Sequence, residues 1–185
     1  KIAIKKGIPT IQDYFSKNLS LKIEKKYGKA KIITATNVFA HMDNILTLLK
    51  SIKKLMKNDG LFISESHYLY DLIQQNQYDT VYHEHLRYYS LTSLKFLFEK
   101  VDLEIIRAKK INTHGGSIRV YAAKKGIYKK TKNLKTIFDI EKNLFQKKLY
   151  SFSHKVTKSK LDLYKLLSKI KKNNTRIYGI SAPSR

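Results

Sequence analysis

The densest set of residues able to move protons is the run Tyr82-His83-Glu84-His85-Leu86-Arg87-Tyr88-Tyr89-Ser90. Two His, one Glu and three Tyr fall within eight positions, and together they supply every side-chain type used for proton transfer near neutral pH. Imidazole serves as a base at pH 7 without large tuning, whereas a phenol needs its pKa lowered by several units. A His of this run is therefore preferred to a Tyr as a base on chemistry alone. A metal centre is the competing use of this run. His83 and His85 lie two apart, a spacing that puts both rings on one side only in a strand. The helical zinc-protease pattern needs His-Glu-x-x-His, which this run does not match. No metal is expected here, and a polar surface loop is the plain alternative.

Two smaller groups accompany it. Asn37-Val38-Phe39-Ala40-His41 follows a β-branched run, and the carboxyl ends of strands in an open α/β sheet are where ligands bind. A ligand-facing His41 and a His41 that only caps the next helix are equally compatible with the sequence. His114-Gly115-Gly116-Ser117 precedes another strand-like run. Paired glycines there allow either a close ligand approach or a plain hairpin turn.

These groups need elements to hold them. Residues 8–16 read as a short strand, with Pro9 tolerable only at its start. Residues 19–27 read as a helix closed by Gly28. Lys31–Thr36 is continuous and β-branched, as in a strand buried on both faces of a parallel sheet. Ile45, Leu48, Leu49, Ile52 and Leu55 mark an amphipathic helix over 44–56. Asn58-Asp59-Gly60 reads as a turn before a strand at 61–65. A helix follows at 93–100, then an antiparallel pair at 103–109 and 117–123. The alternation predicts an α/β fold built on a parallel sheet, with the pair closing one edge. From 131 to 172 the chain is Lys-rich and helical, as one long helix or a helical pair. Arg176–Gly179 reads as a strand meeting a Gly turn.

Composition bounds the function. The chain has 185 residues, with 38 Lys+Arg against 14 Asp+Glu, and a net charge of +24. Thirty-three of the basic residues are Lys and five are Arg, spread along the chain. Recognition surfaces favour the planar fork of Arg, so the charge reads first as a solvated Lys surface. A nucleic-acid-binding module is the alternative that the charge suggests. With no Cys, these residues hold no disulfide, no Cys-ligated zinc and no Cys nucleophile. No apolar run approaches the roughly 20 residues that span a bilayer, and no signal-peptide core opens the chain, so a cytoplasmic protein without membrane partners is expected. The first residue is not Met and the chain ends within a Gly-rich turn, which suggests a piece of a longer protein.

Gly7-Ile-Pro-Thr, Asn37-Val-Phe-Ala-His41, Tyr82-His-Glu-His85-Leu-x-Tyr-Tyr-Ser90 and His114-Gly-Gly-Ser117-Ile-Arg119 occur in an order and spacing that resembles the S-adenosylmethionine-dependent C-methyltransferases of deoxysugar biosynthesis. The resemblance covers most of residues 7–123 and continues more weakly to Tyr178–Arg185. It implies the second half of a class I methyltransferase Rossmann-like sheet (residues 1–123), then a helical segment opening a second α/β domain (residues 124–185). The family's Gly-rich cofactor turn, its acidic ribose-binding residue and its Cys-rich N-terminal domain are not within these residues, so zinc is expected only in that other domain. Ser181-Ala-Pro-Ser-Arg185 departs from the family's commoner Gly-Ala-x-x-Lys-Gly turn. An inactive fragment is thus a further alternative.

The resemblance also implies roles. His85 would be the base that removes an α proton from a nucleotide-linked 4-keto-deoxysugar. Tyr82 and Glu84 would orient the sugar or the base, or stabilise the oxyanion, and His41 would complete the catalytic set. Asn37 and Val38 would lie near the S-adenosylmethionine, mainly through backbone. His114 and Arg185 would contact the substrate, Arg185 at its diphosphate.

Overall fold

The computed structural model describes residues 2–180. Four strands form one sheet in the order β1-β2-β4-β3, with β1 at Ala30–Thr36, β2 at Met56–His67, β3 at Leu103–Ile111 and β4 at Ser117–Lys124. β1 and β2 run parallel, and β2–β4 and β4–β3 run antiparallel. Among the described residues six α-helices accompany them: α1 at Ile2–Lys5, α2 at Lys17–Tyr27, α3 at Ile45–Leu55, α4 at Leu69–Gln74, α5 at Leu91–Glu99 and α6 at Asn133–Lys172.

The helices form where the sequence places an apolar stripe behind a cap. α2 is capped by Ser16, whose hydroxyl accepts from Leu19 N–H, and ends at Gly28 with φ 76°. α3 starts at Asn44, whose side chain accepts from Thr47 N–H, and buries Ile45, Leu48, Leu49, Ile52 and Leu55 against the sheet. Each such residue stabilises the fold by about 1.5–3 kcal/mol. α3 is also the crossover that parallel β1 and β2 require. The core then closes around Phe39, Phe62 and Phe98, all fully buried, with ring centroids 5.7–6.3 Å apart.

Four local expectations are corrected. Residues 8–16 form no strand; among the described residues no neighbour pairs with them, and Pro9 lacks a donor. β1 is half exposed rather than buried on both faces, because it ends the sheet order and Ile32 is 58% exposed. Asn58-Asp59-Gly60 is not a free turn but an irregular stretch inside β2, where the register steps from Ala30↔Met56 to Ile32↔Leu61. Asp59 is tied there by the Tyr128 hydroxyl to its carbonyl and by Lys31 to its carboxylate. Residues 176–179 form no strand. The His83–His85 stretch is loop, so the strand geometry that would align both rings does not arise. The segment from 133 to 172 is a single 40-residue helix, the first of the two forms expected for it.

Candidate active site

β1 ends at Thr36, and Asn37 adopts φ 53°, a left-handed turn that Asn tolerates better than most residues. Its N–H donates to Glu65 O on the neighbouring strand. Phe39 then enters the core and starts a 3-10 turn, Phe39–His41, that leaves His41 exposed above the strand ends. Burial of one ring thus fixes where the next imidazole stands.

The loop after Tyr78–Thr80 folds over that turn and is stitched to it. Leu86 N–H donates to Ala40 O, and the Tyr89 hydroxyl donates to Phe39 O. Arg87 donates to both Met42 O and Asp43 O. His41 Nδ1 lies 2.9 Å from Glu84 O, so this nitrogen carries the proton and donates. His41 and His85 come within 5.1 Å between ring centroids, although 44 positions separate them.

Hydrogen bonding sets the tautomer of His85. Its Nδ1 lies 3.2 Å from Thr80 O, a pure acceptor, so Nδ1 is the protonated nitrogen. Its Nε2 then holds a lone pair and accepts from the Tyr82 hydroxyl at 3.2 Å. Burial holds the His85 pKa below the ordinary imidazole value; the Thr80 carbonyl opposes that shift, the fields of His41 and His67 add to it, and Glu84 opposes it. The ring is therefore neutral at pH 7 and able to take a proton.

A cleft of about 560 Å³ opens at the carboxyl ends of β1 and β2. Asn37, His41, Tyr82, His85 and His114 line it, as do Ser66, His67, Gln77, Asp79 and Thr80. The structure thus brings four of the titratable candidates to one cleft. Glu84 meets it differently: the residue is exposed, and its carbonyl rather than its carboxylate holds His41. Val38 is exposed beside the cleft without lining it. His83 is exposed outside it, and Arg185 lies outside the described residues. Among the described residues no group of three His, Cys, Asp or Glu is arranged to hold a metal.

Sequence reasoning named His114 and Gly115 on the far wall but passed over the residues that hold them. His67 Nε2 donates to Gln77 Oε1, and Gln77 Nε2 donates to Gly115 O at 2.7 Å. This pins the His114-Gly115 turn, in which His114 has φ 51°. Behind it, buried Glu65 pairs with Arg119 at 2.6 Å and accepts from the Thr113 hydroxyl. His67 stands at the end of an apolar strand, the same positional signal that singled out His41, and that signal would have found it.

The donor set suits one side of an S-adenosylmethionine site. The Ser66 hydroxyl is buried, lines the cleft and has no hydrogen-bond partner among the described residues, so a polar ligand in the cleft could satisfy it. Asn37 presents an exposed amide at the end of β1. Among the described residues no helix is long and apolar enough to cross a membrane.

Comparison with known proteins shows what the chain is similar to. Residues 5–108 match the family described as Methyltransferase domain, and residues 112–185 match the C-methyltransferase C-terminal domain. The chain is 38% identical over 122 residues to C-methyltransferase NovU of Streptomyces niveus, covering 66% of this chain and 29% of that protein. It spans under a third of that relative's length. Its fold is similar to a SAM-dependent methyltransferase of Anabaena variabilis, with a TM-score of 0.50 at 13% identity, over 67% of this chain and 63% of that one. The mixed α/β sheet and the match over residues 5–108 have one explanation: the chain belongs to the S-adenosylmethionine-dependent methyltransferase family, and its residues 112–185 are similar to the C-methyltransferase C-terminal domain.

Proposed function

We propose that this cleft methylates a ring carbon beside the ketone of a nucleotide-linked 4-keto-deoxysugar, with His85 as the base. The observation that carries the reading is a neutral imidazole, fixed in one tautomer, in a polar cleft shared with a second His and a Tyr hydroxyl. A methyl acceptor of this kind has no lone pair at carbon until a proton leaves. His85 Nε2 takes the α proton, and the C–H electron pair becomes the enolate. Thr80 O, already bonded to Nδ1, supports the imidazolium that forms, and the nearby Glu84 charge does the same. The Tyr82 hydroxyl is placed to donate to the developing oxyanion once substrate draws it from His85. His41, its Nδ1–H committed to Glu84 O, keeps Nε2 for the sugar. His114 contacts the substrate from the opposite wall.

S-adenosylmethionine, when bound, supplies an electrophilic methyl on a sulfonium. Asn37 and the main chain at Val38 would hold it beside the end of β1, with Ser66 as a further polar contact. We take residues 1–123 as the methyltransferase unit, since β4 is an inner strand of its sheet, and residues 124–185 as the start of the C-terminal domain. Lysines beyond 124, together with Arg185, would face the diphosphate. The setting we infer is the cytoplasm, where nucleotide sugars and S-adenosylmethionine meet, with zinc held only by a Cys-rich N-terminal domain.

The test is direct. The full-length protein is incubated with S-adenosylmethionine and a panel of dTDP-, CDP- and GDP-linked 4-keto sugars, and products are weighed. A gain of about 14 Da, one CH₃ in place of H, on any member supports the reading. No gain across the panel, with S-adenosylmethionine bound, removes it.

A further inference from the structure

The first turn of α5 begins directly after the loop that carries Tyr82 and His85, and a helix start leaves N–H groups that need acceptors. Two are met locally: Ser93 N–H donates to the Ser90 hydroxyl, and Ser90 N–H donates to the Ser93 hydroxyl. Leu94 N–H reaches Ser90 O in the ordinary helical way. Leu91 and Thr92 remain, and both donate to Glu141 of α6, at 2.5 and 2.9 Å. Glu141 is fully buried. The Tyr68 and Thr92 hydroxyls complete its set at 2.9 and 2.5 Å, so four donors meet an acceptor-only carboxylate. The charge also faces the positive end of a helix dipole.

We propose that Glu141 is a positioning residue for the catalytic loop, through which the helix of the C-terminal domain sets the geometry of His85; the catalytic part rests on the reading above. Glu141 lies within the segment matched to the C-methyltransferase C-terminal domain, whereas α5 and the loop lie within the methyltransferase match. The path from one to the other is short. Glu141 fixes Leu91 and Thr92, which follow Tyr88 and Tyr89. The Tyr89 carbonyl accepts from Leu69 N–H, and its hydroxyl holds Phe39 O under His41. The Tyr88 hydroxyl donates to Thr80 O, the same oxygen that fixes the His85 tautomer. α6 braces this loop twice more. Leu144 sits in a small apolar cluster against which Tyr88 packs, and the Ser159 hydroxyl meets the Tyr78 hydroxyl at 3.3 Å.

In Glu141→Gln the carboxamide nitrogen faces a backbone N–H, so one donor at the start of α5 loses its acceptor. The control is Leu134→Ala, a buried α6 residue of the main core that lines a different pocket with Glu104 and Ile105, chosen to lower the melting temperature comparably. Two readouts are taken on the folded full-length proteins: the ¹⁵N spectrum of the His85 ring without substrate, and exchange of the sugar's α proton with D₂O. Glu141→Gln should move the His85 ring signals and slow exchange at least about tenfold, the scale of a small misplacement at a reacting centre. Glu141→Asp, which keeps the charge, should recover part of both, and it also serves if Glu141→Gln does not fold. Leu134→Ala should change neither. Unmoved ring signals in both folded Glu141 variants, or equal changes in Leu134→Ala, overturn the proposal. If the wild-type protein exchanges no sugar proton while the ring signals still respond to Glu141, the positioning stands and the substrate reading falls.

Discussion

At the residue scale the chemistry depends on which nitrogen of His85 is free. Thr80 O claims Nδ1–H, so Nε2 is the nitrogen with which the proposed base would take the proton. His85→Ala should lower kcat at least about a hundredfold, the usual scale for losing a general base. S-adenosylmethionine affinity should change little. His83→Ala should be far milder, because that ring is exposed outside the cleft. Surviving α-proton exchange in His85→Ala, with loss in Tyr82→Phe, would transfer the role to the phenol. The acid limb of the rate follows from the same environment. Burial lowers the His85 pKa, so the ring stays neutral to a pH below the ordinary value near 6.5. The acid limb of kcat/KM should therefore fall below about pH 6.5, and a limb centred above it would contradict the assignment. Stability moves in the same sense. In that window the unfolded chain binds more protons at this site than the folded one, so the contribution is complete above about 6.5 and is lost as pH falls toward the folded pKa.

At the element scale, the far wall of the cleft depends on a glycine that has no substitute. Gly116 adopts φ 120°, and a Cβ there would stand 2.5 Å from Asp71 Oδ2 and 2.6 Å from Asp71 Cβ. Asp71 is buried and paired with Lys110 at 2.7 Å, so it has little room to yield. Gly116→Ala should cost on the order of 2–4 kcal/mol from backbone strain and overpacking together. It should also weaken substrate binding, by shifting the His114-Gly115 turn that Gln77 holds. A chemical denaturation curve within about 0.5 kcal/mol of wild type would refute this account. The same elements show where sequence reading succeeds. α3 was legible because five apolar residues at helical spacing follow an Asn cap, and the β3–β4 pair because its burial alternates. The irregular stretch of β2 was not legible, since Asn-Asp-Gly signals a turn in isolation and only the Tyr128 and Lys31 contacts keep it in the sheet. Residues 8–16 carried strand-like composition, but a strand exists only where a neighbour accepts its hydrogen bonds. His41 and His85 were each visible as candidates; that they share a cleft follows from the fold of the Phe39 ring into the core. Glu141 gave no signal, because its partners lie 49 to 73 positions away.

At the scale of the whole molecule, the two ends of the sheet differ. β3 is covered on its flank by α5 and α6, which both pack against it. β1 has β2 as its one neighbour among the described residues, and Ile32 within it is exposed. An edge of this kind offers unpaired backbone groups to any other strand, including a second copy of itself. Lys29 and Lys31 beside it supply like charges that oppose such pairing, yet Lys31 is partly neutralised by Asp59 at 2.5 Å. The isolated 185-residue chain should therefore aggregate at concentrations where a longer protein with a covered β1 would not. Ile32→Lys tests the cause. The side chain is 58% exposed, so the substitution removes little packing and adds a charge where a pairing strand would lie. Light scattering of the isolated chain at fixed concentration should show slower aggregation for Ile32→Lys than for wild type, with the sheet content by circular dichroism unchanged. An equal rate in both would mean that association proceeds elsewhere, and the exposed Leu161, Leu163, Tyr164 and Leu166 of α6 would then be the surface to charge next.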